Sequence, residues 1–366
     1  MKKLVKMMVM AMALMSLTAC GGANQNEADP GNEANVNETE TSQTEEETTE
    51  EESEENTEET EESTGEVETV DLNVAYMPNY ASLWHLVTAV DKGYFEEEGL
   101  NVNLIEFADG PSEIAAMEGG SVDIAYIGHG AHKLAIQGSA NIIVPSSVHN
   151  TDKITVLPDS GIETIEDIKG KKIAYTAGSS SETALTGALN KAGITMDDID
   201  PYEMDATNMV AAMMSGSVDA ATAWNPYDAQ ILDNVEGSKQ IEFSTDSVNL
   251  SSFIALPKYV EENRDLVLRF SRAIYKAMQF AADKENWDYA VGLYAKQTAK
   301  DKEAAMVETG DATWFSADFI KEAIEDGTMK GYYERQQEMF IESGDVEEAR
   351  DVEEYVEFDL MKEALE

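Results

Sequence analysis

Between Val70 and about residue 258 the chain alternates short apolar runs with segments of helical period, and beyond that point it carries helical period alone. The apolar runs are Leu72–Tyr76, Val102–Phe107, Val122–Ile127, Ile142–Val148, Ile173–Thr176, Asp200–Met204, Val218–Trp224 and Phe253–Leu256. Amphipathic segments near 82–92, 111–118, 130–137, 181–191, 207–215 and 226–234 separate them. Such alternation predicts an α/β fold with parallel strands and helices on both faces. The later stretches, 264–284, 286–298, 301–308, 316–325, 328–343 and a last segment to Glu366, predict a helical C-terminal part. No short repeat runs through the chain, which excludes a solenoid.

One longer repetition is informative. Ala116-Met117-Glu118-Gly119-Gly120-Ser121-Val122-Asp123-Ile124-Ala125 is echoed about 95 residues later by Ala212-Met213-Met214-Ser215-Gly216-Ser217-Val218-Asp219-Ala220-Ala221. Both copies read as a helix stopped by glycine, a tight turn and a buried strand. Two similar α/β units imply two lobes and a cleft between them.

Charge and cysteine narrow the function classes. The chain carries 73 Asp and Glu against 25 Lys and Arg, a formal net charge of −48. Residues 70–366 hold 54 of the acids and 22 of the bases, a net of −32. That sign argues against nucleic acid and against adhesion to an anionic membrane surface. A single cysteine, Cys20, excludes an intramolecular disulfide and CxxC-type zinc or redox sites.

Residues 1–20 have a basic start (Lys2, Lys3, Lys6), an apolar run of roughly a dozen residues and small residues before Cys20. The run is short for a mature membrane span and suits a secretory signal peptide. Leu17-Thr18-Ala19-Cys20, followed by two glycines, resembles the lipobox of bacterial lipoproteins. The resemblance implies cleavage after residue 19 and lipidation of Cys20, with stable anchoring at the extracytoplasmic face of the cell membrane. Residues 21–69 hold 19 acidic and no basic side chains. Such a segment buries too little apolar surface to offset its ordering entropy and reads as a disordered acidic tether, spanning about 40 Å even as a neutral coil.

A family resemblance rests on five segments in order. Lys92-Gly93-Tyr94-Phe95-Glu96-Glu97-Glu98-Gly99-Leu100-Asn101-Val102 is similar to the KGxFxxEGLxV segment of solute-binding proteins of ABC importers. Ala116 to Asp123, Glu166 to Ala174, Gly178 to Glu182 and Val218 to Pro226 resemble the segments that follow it in those proteins. The nearest group is the nitrate/sulfonate/taurine-type binding proteins, which includes binders of thiamine-pyrimidine precursors. The resemblance implies a two-lobe type II periplasmic-binding-protein fold with an interlobe ligand cleft. Residues 70–157 and 248–366 would form lobe one and 158–247 lobe two. Lobe closure would report a bound solute to the transmembrane subunits of a permease driven by a cytoplasmic ATPase. It also implies a monomer without cofactor.

Ligands of open α/β sheets sit beyond the carboxyl ends of strands, where helix N-termini offer unpaired N–H groups suited to anions. Four turns qualify: Met77–Tyr80, Asp109–Ser112, Gly128–Gly130 and Gly178–Ser181. They nominate Asn79, Tyr80, Gly110, Gly128, His129, Ser179 and Ser180 as ligand contacts, with Trp84, Trp224 and Asn225 completing an apolar wall and its rim. Ser179 also reads as an N-cap with Glu182 three residues on, a role compatible with ligand contact. No Lys or Arg lies in these turns, which favours a sulfonate, nitrate, carboxylate or neutral heterocycle over a fully charged phosphate. Asp109 keeps a cationic ligand open. His129 and His132 form an HxxH pair that neither a cysteine nor an adjacent carboxylate completes into a metal site, so no metal is expected. The alternative readings are an enzyme resembling the thiamine-pyrimidine-forming synthases, whose cysteine-rich motif this chain lacks, and a ligand sensor without transport.

Overall fold

The computed structural model describes residues 69–366; the signal peptide, Cys20 and the acidic tether read from the sequence lie outside them. Strands β1 (Val70–Tyr76), β2 (Leu100–Glu106) and β3 (Ile124–Ile127) are parallel, with β1 in the middle. Strands β5 (Lys172–Tyr175), β6 (Asp200–Glu203) and β7 (Ala220–Ala221) form a second parallel set around β5. Two long strands join the sets: β4 (Asn141–Val156) and β8 (Lys239–Ala255) run antiparallel to each other along almost their whole length. The β8 strand pairs with β3 and β4 pairs with β7, both antiparallel, and a short strand β9 (Thr313–Trp314) pairs with β4 at Ser147 and Val148. The sheet order is β2-β1-β3-β8-β4-β7-β5-β6.

Three sequence expectations are corrected here. The sheet is mixed rather than wholly parallel, because each linking strand must run back against the one it accompanies. The runs read as Ile142–Val148 and Phe253–Leu256 are the ends of much longer strands. The C-terminal part, expected to be helical only, contributes β9.

Helices α1 (Tyr80–Asp91), α2 (Tyr94–Glu97), α3 (Gly110–Glu118) and α4 (His132–Ile136) belong with the first parallel set. Helices α5 (Ser180–Ala192), α6 (Ala206–Ser215) and α7 (Tyr227–Asn234) belong with the second. Their starts follow from capping chemistry. The Asn79 side chain accepts from Ser82 N at 2.9 Å, Asp109 from Ser112 N at 2.9 Å and Asp205 from Asn208 N at 2.8 Å, each supplying an acceptor to an otherwise orphaned helix-start donor.

Buried side chains sort into one large cluster and two smaller ones. The large cluster takes β1–β3, the Asn141 end of β4, the Ala255 end of β8 and the C-terminal helices; Phe270 of the helix Arg264–Ala282 stacks on Phe95 and meets Phe253 edge-on. The smaller clusters cover opposite faces of the second set: Ile173 and Ala220 point into one, Ala174 and Ala221 into the other. Adjacent strand residues face opposite sides, so β5 and β7 are buried on both faces at these positions, while β6 is an exposed edge.

The internal repetition has a structural meaning. Val122 and Val218 are both buried two residues before their strands begin. Asp123 accepts a hydrogen bond from Asn73 N at 2.8 Å, and Asp219 accepts one from Lys172 N at 2.8 Å. In each lobe the aspartate ties the first turn of a strand to its parallel neighbour. Among the described residues no helix is long and apolar enough to cross a membrane.

Candidate functional site

A cavity of about 300 Å³ lies between the two parallel sets, with its floor on the paired strands β4 and β8. The turns after β1 and β3 bring Asn79, Tyr80, Gly128 and His129 to it, and the start of α3 adds Gly110. From the other side come Ser179 and Ser180 at the start of α5, and Trp224, Asn225 and Asp228 between β7 and α7. Nine of the ten residues nominated from the sequence therefore line one cavity.

Trp84 does not. It is 1% exposed, stacks on His85 at 3.9 Å between ring centroids, and lies behind Tyr80. Helical spacing carries residue 84 one turn past the helix start, onto the core face of α1. The wall position is taken by Trp314, whose ring meets Tyr80 edge-on at 5.3 Å and His149 at 6.3 Å. Trp314 arrives through β9, more than 150 residues further along the chain, and no local pattern marks it. Asp109, held open as a counter-charge for a cation, is spent on capping α3 and does not line the cavity.

The linking strand β4 supplies the groups that the turn-based reading missed: His149, Asp152 and Lys153. The segment before β9 adds Glu308 and Asp311. Lys153 is a cation at the cavity, although the turns themselves have none; its Nζ stands 3.6 Å from Asp311 and 3.9 Å from Asp228. Glu308 accepts from Tyr80 N at 3.0 Å and from the Tyr294 hydroxyl at 2.7 Å, and it pairs with Lys300. A carboxylate of the chain itself thus sits on the first N–H of α1, the position at which a helix start attracts an anion.

Burial sets the protonation of the remaining groups. It pushes the Asp152 carboxyl up to about 6 and the His129 imidazole down to about 4, because both charged forms lose water. His149 is held down to about 4, first by desolvation and then by His129. The HxxH pair divides: His129 faces the cavity, whereas His132 is fully buried with its two ring nitrogens on the Gly128 carbonyl (3.1 Å) and the Ser252 hydroxyl (3.0 Å). Among the described residues no group of three or more His, Cys, Asp or Glu is placed to hold a metal ion.

The cleft is shut. A Cβ on Gly128 would stand 2.6 Å from Ser180 Oγ. Lys133 on α4 reaches across to Glu182 on α5 and also to Asp345 at 3.2 Å. Asn225 donates to Asp311 at 3.0 Å, and the Tyr227 hydroxyl reaches the Ala108 carbonyl at 3.5 Å.

Residues 81–286 match the model of the family described as NMT1/THI5 like. The chain belongs to that family. It is 30% identical over 79% of its length, and over 90% of the relative's, to a protein that carries the name of a binding protein in Brucella abortus (strain 2308). It is 29% identical to a Bacillus subtilis (strain 168) protein named for binding aliphatic sulfonates, across 78% of this chain and 86% of that one. Among solved structures, the alkanesulfonate-binding protein SsuA from Xanthomonas axonopodis pv. citri, bound to MOPS, superposes with a TM-score of 0.60 at 22% identity, covering 79% of this chain and 99% of the other. The family resemblance and the two-lobe binding-protein fold expected from the sequence are both borne out.

Proposed function

We propose that this protein is the lipid-anchored solute receptor of an ABC importer at the extracytoplasmic face of a bacterial membrane. It captures a small solute, sulfonate-, taurine- or nitrate-like or a pyrimidine-like heterocycle, and presents it to the permease. Asn79, Tyr80, Gly110, Gly128, His129, Ser179, Ser180, Trp224 and Asn225 are the assigned ligand contacts. Lobe one (70–157 with 248–366) and lobe two (158–247) move as bodies about the paired β4 and β8 segments. The protein acts as a monomer, without a cofactor and without catalysis.

The observation that carries this reading is the interlobe cavity of about 300 Å³, walled by Tyr80, Trp224 and Trp314. Its size falls at the small end of ligand pockets, which span roughly 300–1,000 Å³. Lobes that latch around such a volume suit capture and release.

Thermal-shift titration with taurine, alkanesulfonates, nitrate and aminopyrimidines tests it. A solute at 100 times its Kd should add about 2.7 kcal/mol of stability. A panel in which no solute raises the midpoint would sink the receptor reading. The anchor is tested separately, because Leu17–Cys20 has the lipobox pattern. Cys20→Ala should release the protein from the membrane fraction, and unchanged attachment would remove the lipid from the proposal.

A further inference from the structure

Five carboxylates line the cavity; Glu242 is exposed and served by solvent, and the four that are buried or half-buried are not equivalent. Asp228 accepts from Gln240 at 2.9 Å and from Ala229 N at 2.7 Å. Asp311 has Asn225 and Lys153, and Glu308 has Tyr80 N, Tyr294 and Lys300. Asp152 is 7% exposed, yet among the described residues its polar contacts are one long hydrogen bond from Asn249 at 3.4 Å and an approach of 3.8 Å to His129 Nε2. Lys153, the one cation among the described lining residues, is committed to Asp228 and Asp311 instead.

A second observation points the same way. His129 is 8% exposed and lines the cavity, and its Nε2 has no hydrogen-bond partner among the described residues. A buried carboxylate and a buried ring nitrogen, both short of partners and 3.8 Å apart, make a place that a further hydrogen-bonding group completes. The group that satisfies a bare carboxylate is a protonated nitrogen, through a charge-assisted hydrogen bond. The aromatic rings of Tyr80, Trp224 and Trp314 that line the cavity are compatible with the same charge.

We infer that Asp152 is the specificity-determining residue of the site, receiving a protonated amine or amidine nitrogen of the bound solute. The inference rests on the reading of this cavity as the solute site and deepens it. The solute then belongs to the amine-bearing members of the class, such as amino-sulfonates or amidine-like heterocycles. A purely anionic solute leaves Asp152 unpaired.

Two matched pairs test this with the folded protein at pH 7.5, where Asp152 is ionised: taurine against ethanesulfonate, and benzamidine against benzamide. Within each pair that binds, the member with the protonated nitrogen should show a Kd at least tenfold lower by calorimetry. Asp152→Asn should bring the two members within threefold of each other, and Asp152→Glu, which keeps the charge, should preserve the preference. Equal binding within a pair, or tighter binding of ethanesulfonate or benzamide, overturns the role of Asp152 and leaves the receptor reading standing. No binding by any of the four overturns this inference, while the wider panel above decides the receptor reading independently.

Discussion

Gly130 in lobe one lies directly against Ser179 in lobe two: a Cβ built on Gly130 would stand 2.2 Å from the Ser179 carbonyl oxygen and 2.4 Å from Ser180 N. Both neighbours are backbone, so neither can rotate away. The glycine is there to let the lobes meet.

Gly130→Ala should therefore hold the cleft ajar without disturbing either lobe. Solute affinity should fall by at least tenfold, while the unfolding midpoint of the free protein stays within a few degrees. Calorimetry and small-angle scattering with and without solute read both quantities. Unchanged affinity would show that the contact of Gly130 with Ser179 is not needed for capture.

The two tryptophans nominated from the sequence should separate in opposite ways. Trp84 is fully buried, so Trp84→Ala should cost about 3–5 kcal/mol of stability by opening a core cavity. Trp224 lines the site, half-buried, with Nε1 unpartnered among the described residues. Trp224→Ala should leave the denaturant midpoint nearly unmoved and weaken binding more than tenfold. Equal effects of the two substitutions on stability would contradict the assignment.

Acid should destabilise the protein well before carboxylates in general titrate. Burial lowers His85, His129, His132 and His149 below the ordinary histidine value, to about 4, 3 and 4 for the last three. The unfolded chain then binds more protons than the native one between pH 6.5 and 4, so stability falls as pH drops through that window. Asp152 works against this: with its native value near 6 against 3.8, it binds a proton first in the folded state. Glu113 and Asp228, also raised by burial, oppose the histidines in the same way, and the four histidines outweigh the three carboxyls, so the net change is a loss of stability on going from pH 7.5 to 5.5. Urea melts at pH 7.5 and 5.5 measure it; coincident curves would mean that the histidines are not held neutral.

The paired aspartates of the repetition should behave alike. Asp123→Ala and Asp219→Ala each remove an acceptor from a strand N–H and should cost about 1 kcal/mol. A cost confined to one copy would show that the two lobes do not share this tie.

The parts of the fold that the sequence displays are those made by near neighbours. Asn79, Asp109 and Ser179 start helices because an acceptor two or three residues upstream serves a bare N–H. Ile173 and Ala174 mark a strand covered on both faces because alternate residues face opposite ways. The stretch of β8 over Asn249–Ser252 holds one large apolar residue, the buried Leu250, among Asn and Ser, so apolar period does not mark it as a strand, whereas its pairing with β4 does.

What the chain determined by itself is therefore the two α/β units, their caps and turns, and nine positions around one cleft, all set by interactions within a few residues along the backbone. The character of the cleft was decided only in three dimensions. Trp314, Asp311 and Glu308 reach it through β9, Asp152 and Lys153 reach it from the crossing strand, and Trp84 turns away from it into the core. Charge balance and protonation in a cavity are sums over groups far apart in sequence, weighted by how much water each has lost. Local periodicity carries neither the distances nor the burial that fix those sums.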